Sequence, residues 1–134
     1  FGEEAKIIFG KDSISDKEEK DLVFLESILN SEKVQVEFSS NIQKSIWEKL
    51  IMVAAIGSIM SFANSSASEI FSDNKLVSML ENMVNEMNLA ARSIGVNLDS
   101  DYEINTIQGL KDRSAEIHAS LKEDLDNQRP LELN

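Results

Sequence analysis

The chain contains no cysteine, which excludes disulfides, zinc thiolate sites and a cysteine nucleophile. Its one histidine, His118, cannot build a multi-histidine site, and we expect no metal. Basic residues are scarce: 13 Lys and Arg stand against 24 Asp and Glu, a formal net charge of -11. So acidic a surface repels phosphate backbones and argues against a nucleic-acid partner. The five glycines, at positions 2, 10, 57, 95 and 109, never approach Gly-x-Gly-x-x-Gly, the turn that cradles a dinucleotide phosphate. No basic-plus-apolar leader is visible. The longest apolar run, Leu50 to Ala63, is interrupted by Gly57, Ser58 and Ser61 and falls short of the roughly 20 residues of a membrane-spanning helix. A soluble, cytoplasmic protein with no membrane association is the expectation. The chain starts at Phe1 rather than Met and ends on a fresh apolar pattern at Leu131-Glu132-Leu133, so a piece of a longer protein is expected.

What is present suffices for a core: 42% of the 134 residues are hydrophobic. Residues 1–39 have a pattern of their own. Ala5-Lys6-Ile7-Ile8-Phe9 is a short apolar run stopped by Gly10, which reads as a strand. Ser15 and Glu18 have capping-box spacing and open a helix that carries Leu22, Leu25, Ile28 and Leu29. Val34 to Phe38 alternates strictly, the mark of a half-buried strand. Two strands cannot bury both faces, so this strand–helix–strand unit is expected to belong to a larger sheet.

From Ser39 the period lengthens to that of a helix. Ser39 or Ser40 is the expected cap of a helix reaching about Ala63. A second helix, about 74–94, is expected to bury Leu76, Leu80, Met83, Met87, Ala90 and Ile94, with Gly95 as a left-handed cap. A third, about 100–126, carries Ile104, Ile107, Leu110, Ile117, Leu121 and Leu125, with a bend at Gly109. Asp99, Asp101 and Glu103 lack the spacing of a calcium loop and read as helix N-terminal charges. Pro130 suits the first turn of a further helix. His118 reads as a surface residue without a role, and the five methionines as mostly core.

The helix after Trp47 is apolar on every side from Leu50 to Ile56, so it is expected to be buried. Lys49 sits at its edge. A lysine there either snorkels to water or is held in a drying cleft, where it becomes a readier proton donor to a substrate oxygen.

Three segments carry a resemblance. Asn41 to Leu50, with Trp47-Glu48-Lys49-Leu50, is similar to the helix that opens the C-terminal domain of ketopantoate reductases. Glu86 followed by Ala90-Ala91-Arg92-Ser93-Ile94-Gly95-Val96 resembles that family's helix ending. Ala119 to Asn134, with Ser120, Asp124, Arg129 and Glu132, resembles its Ser-(Met/Leu)-x-x-Asp to Arg-x-x-Glu block. The resemblance implies a mainly α chain, the helical C-terminal domain of a 6-phosphogluconate-dehydrogenase-like reductase. Residues 1–39 would be the end of a Rossmann-type domain and 40–134 the helical substrate domain. It implies NADPH-dependent reduction of ketopantoate to pantoate, in the synthesis of pantothenate and coenzyme A. Lys49 and Glu132 would be catalytic, with Lys49 protonating the nascent alkoxide. Ser120 would bind substrate, a 2-oxo acid, and a homodimer would form through the helical domain.

The chain departs from the family at two positions. Many members carry Asn one and two turns after the lysine; here Val53 and Gly57 stand there, which opens the site to a different 2-oxo acid. The nucleotide-binding glycines are also missing, so the fragment alone is expected to be inactive. The alternative reading is a non-catalytic helical module that dimerises through the apolar stripes of 46–60 and 76–94.

Overall fold

A computed structural model describes residues 5–131. The order is β1 (Ala5–Gly10), α1 (Asp16–Leu29), β2 (Val34–Ser39), α2 (Ile42–Ala63), α3 (Ala67–Ser72), α4 (Asn74–Ser93), α5 (Tyr102–Asp112), a 3-10 turn (Ser114–Glu116) and α6 (Ser120–Asp126). The chain is mainly helical, with one two-stranded sheet at its start. Packing divides it into two compact units, Phe1–Trp47 and Glu48–Asn134.

In the first unit β1 and β2 run parallel, Ala5 opposite Val34 and Gly10 opposite Ser39. The alternation of β2 buries Val36 and tilts Phe38 against Phe9, with ring centroids 5.9 Å apart. Lys6 and Glu37 pair across the strands at 2.6 Å. Gly10 is required by the pairing: a Cβ there would stand 2.0 Å from the Ser39 carbonyl oxygen. Ser15 and Glu18 form the expected capping box on α1. The edge of β2 away from β1 is closed by α1. The Asn30 side chain donates to the Val36 carbonyl and accepts the Val36 N–H, both at 3.1 Å, and the Glu26 carboxylate accepts the Phe38 N–H at 2.9 Å. Further strands can therefore pair only with β1. None of the residues of α1 is buried, and Phe24 and Ile28 are 66% and 60% exposed.

In the second unit α2 supplies Ile51, Ala55, Ile56, Ile59 and Met60 to the core. Ile70 of α3, Leu80 and Val84 of α4, Leu98 and Leu110 are buried in the same unit. Each fully buried aliphatic side chain stabilises by roughly 1.5–3 kcal/mol before entropy is counted. Several details differ from the sequence reading. The cap of α2 is Asn41, whose side chain accepts the Lys44 N–H at 3.3 Å, while Ser39 accepts the Asn41 N–H. At 22 residues α2 is also long and apolar enough to cross a membrane by length and composition, more than the apolar run alone implies. It is not buried all round: Leu50 and Val53 are 46% and 47% exposed. A short helix, α3, comes next, opened by a second capping box from Ser66 and Glu69.

The buried stripe of α4 is Leu80, Val84, Asn88 and Ala91: Leu80 is buried as expected, the positions after it fall one later than Met83, Met87 and Ala90, and Ile94 is exposed. Asn88 is admitted because its amide donates to Glu103 and accepts from Arg92 Nε at 3.1 Å, and Arg92 also donates to the Asp99 carbonyl at 2.9 Å. Glu103 lies in the first turn of α5, and Asp101 accepts from Asn105 at 2.9 Å. Gly95, at φ +89, ends α4: its N–H donates to the Arg92 carbonyl and the Val96 N–H to Ala91, each at 3.0 Å. The expected single helix from about 100 to 126 is two helices. Gly109 lies inside α5, and the chain leaves helical geometry at Arg113, becoming extended at Ile117 and Ala119. No glycine or proline marks that break. The break brings Ile117 and Leu121 to line a cavity with α2. Of the methionines only Met60 is buried. Beyond Pro130 only Leu131 is among the described residues, so the further helix expected there lies outside them.

Candidate functional site

The break between α5 and α6 builds a cavity of about 400 Å³ within the second unit. One wall is α2, through Met52, Val53, Ile56 and Gly57. The other is Leu110, Arg113 and the run from Glu116 to Leu121, which includes Ser120. The walls are close at Gly57, where an added Cβ would stand 3.8 Å from the Ala119 Cβ and 3.9 Å from that of Leu121.

Of the residues expected at a site, Ser120 opens α6 and lines this cavity. Lys49 does not line it. It lies one helical turn before Val53, about 6 Å along the axis of α2, and its side chain is exposed rather than held in a dry cleft. Its backbone is held firmly, because the Tyr102 hydroxyl donates to the carbonyl of Glu48 at 2.6 Å. Glu132 lies outside the described residues.

Three polar lining residues, Arg113, Glu116 and His118, escaped the sequence reading as site residues. Arg113 brings a cation to the cavity, its Nε donating to the Gly109 carbonyl at 3.2 Å. His118, read as a surface residue without a role, is well exposed yet lines the wall, with its Nδ1 4.0 Å from the Glu123 carboxylate. Nothing in their local spacing announces any of them, because the cavity exists only through the helix break. Among the described residues no three His, Asp or Glu side chains gather as a metal site.

The profile of the C-terminal domain of ketopantoate reductases (ketopantoate reductase PanE/ApbA C terminal) matches residues 41–134. The chain belongs to this family. Curated protein sequences include no match. Among solved structures, the dimeric ketopantoate reductase from Staphylococcus aureus, described with evidence of kinetic cooperativity, is similar with a TM-score of 0.71 and 19% identity. The match covers 94% of this chain and 42% of that one, so the chain spans less than half of that reductase. At such identity the likeness is one of fold.

Residues of the described chain do not fit a nicotinamide cofactor of the kind this ketopantoate reductase fold implies. Gly10, the glycine at the end of β1, is committed to the close approach of β2. The N-terminus of α1 is likewise occupied by its own capping box: the Glu18 carboxylate accepts the Ser15 N–H at 3.0 Å and the Ser15 hydroxyl at 2.7 Å. The Ser15 N–H and hydroxyl, with Lys11, hold the Glu18 carboxyl at about 2, far below the usual carboxylate range.

Proposed function

We propose that the intact protein reduces ketopantoate or a close 2-oxo acid relative with NADPH, and that this chain supplies its substrate side. In this reading residues 1–39 are the tail of a nucleotide-binding domain and 40–134 the substrate domain. Protein outside this chain holds the cofactor, which supplies the hydride. One observation supports the reading most: Ser120 shares a cavity with Val53 and Gly57, the positions one and two turns beyond Lys49. Residues singled out by family resemblance, far apart in sequence, thus meet around a single space of substrate size.

The roles follow from the needs of a 2-oxo acid. As the ketone carbon is reduced its oxygen gathers negative charge, and Lys49 donates the proton that neutralises it. The Ser120 hydroxyl hydrogen-bonds the substrate and fixes its rotation. Arg113, a permanent cation on the same cavity, pairs with the carboxylate. Glu132 is assigned to placing the lysine. A homodimer accords with the relative described as dimeric and with the exposed apolar residues of α2.

The test is Lys49→Ala in the full-length reductase. Turnover of NADPH with ketopantoate is expected to fall by about 10²–10⁴. Unchanged turnover rejects Lys49 as the acid.

A further inference from the structure

Charge in the cavity beside α6 is closely balanced. Arg113 brings a permanent cation, Glu116 a carboxylate, and the α2 wall no charged group at all. With a neutral imidazole at His118 these cancel, in a chain whose formal net charge is -11. A carboxylate substrate entering that space gains no net attraction. A proton on His118 tips the balance to the positive side.

His118 is placed to make that difference. It stands two residues before Ser120, in the segment between the 3-10 turn and α6. Its Nδ1 lies 4.0 Å from the Glu123 carboxylate, too far for a hydrogen bond. Among the described residues no hydrogen bond engages the ring, so both nitrogens remain for a ligand. The side chain is 80% exposed and forms no part of the core. The ring also borders a second cavity, of about 490 Å³, with Lys122, Glu123 and Asp126 of α6. Lys122 and Asp126 pair with each other and cancel, whereas Glu123 adds to the negative side. Neither α2 nor α3 brings a charged group to either cavity. Without an imidazolium, the substrate carboxylate therefore meets net repulsion.

We propose that His118, as the imidazolium, is a substrate-binding residue that pairs with the carboxylate of the 2-oxo acid beside Arg113, and that its proton makes substrate binding pH-dependent. This rests on the reductase reading above. Histidine is the side-chain type whose charge changes around neutral pH, whereas the arginine guanidinium stays charged. Binding is strongest with the ring charged and weakens as pH rises and the ring loses its proton. The chemical step, assigned to Lys49, does not depend on that proton.

The experiment uses the full-length reductase with NADPH and whichever of ketopantoate, pyruvate and the oxo acid of valine it reduces best. The wild-type KM for the oxo acid is expected to be about 5-fold lower at about pH 6 than at about pH 8. His118→Asn, at an exposed position, is expected to raise KM at the lower pH more than it lowers kcat, and to abolish the pH difference. His118→Arg restores a permanent cation and is expected to keep the lower KM at both pH values. A wild-type KM equal at the two pH values, or a pH difference that survives His118→Asn, overturns the role while leaving the reductase reading intact. Failure of the wild type to reduce any 2-oxo acid removes both readings.

Discussion

The Tyr102 hydroxyl donates a 2.6 Å hydrogen bond to the carbonyl of Glu48, the residue just before Lys49. That carbonyl also lies in helical position to serve α2, so the phenol is a second donor on one acceptor. The bond ties the start of α5 to the turn of α2 that carries Lys49. Tyr102→Phe leaves no acceptor orphaned, and we expect a loss near the low end of a hydrogen bond, about 0.5–1 kcal/mol, in urea unfolding. If Lys49 is the proton donor proposed above, the same change in the intact protein is expected to lower kcat more than it raises KM, because it loosens Lys49 rather than the cavity. Burial, with a smaller effect from Glu48, raises the Tyr102 pKa above its usual 10, against a lowering bond with Thr106. A raised pKa means its contribution is whole below pH 10 and is lost as pH climbs through the folded value. Tyr102→Phe should therefore flatten the alkaline fall of stability.

The two capping boxes make a second prediction. In α3 the Ser66 N–H and hydroxyl both donate to Glu69, at 2.7 and 2.8 Å, and Ser66 accepts the Glu69 N–H at 3.3 Å. A six-residue helix has little stability of its own, so Ser66→Ala is expected to cost about 1 kcal/mol, measured by thermal unfolding. In α1 the Glu18 carboxyl should titrate at about 2 by NMR and rise only part of the way to 4.5 in Ser15→Ala, because the backbone N–H of residue 15, the largest cause, remains. Because the folded value is depressed, the stabilisation is present above about 4.5 and disappears as pH falls through about 2.

Those boxes also show how much the sequence makes legible. Ser15-x-x-Glu18 announces α1, and Ser66-x-x-Glu69 has the same spacing but opens too short a helix for periodicity to draw attention to it. Strand alternation places Val36 inward, and Gly95 ends α4 as its conformational freedom predicts. The failures have one cause: a tertiary partner decides. The α4 stripe shifts because a buried asparagine finds Glu103 and Arg92, which no hydrophobic count foresees. The α5–α6 break has no glycine or proline to announce it, and with it comes the cavity. Ser120 was legible through resemblance, whereas Arg113 and His118 were not, because only the break gathers them there.

Asn88 tests the first of those causes. It is 5% exposed, and its amide joins Glu103 on one side and Arg92 on the other. Asn88→Ala leaves a carboxylate and a guanidinium nitrogen without that partner and opens a small void. We expect a loss of about 1–3 kcal/mol, with unfolding cooperativity retained. A neutral result would mean that water replaces the amide and that the network does not decide which stripe of α4 is buried.

The rotation of α2 about its own axis is open to an equally direct test, since Leu50 and Ile51 are adjacent but differ completely in environment. Ile51 is fully buried, whereas Leu50 is 46% exposed. Ile51→Ala removes hydrocarbon from the close-packed centre and is expected to cost about 2–5 kcal/mol in this chain. Leu50→Ala removes as much carbon from a half-open face and should cost under about 1.5 kcal/mol, with urea unfolding as the measure for both. Successive residues of a helix point about 100° apart, so reversed losses would turn the α2 wall of the cavity away from Ser120. That result would dissolve the shared space on which the role proposed for Ser120 depends.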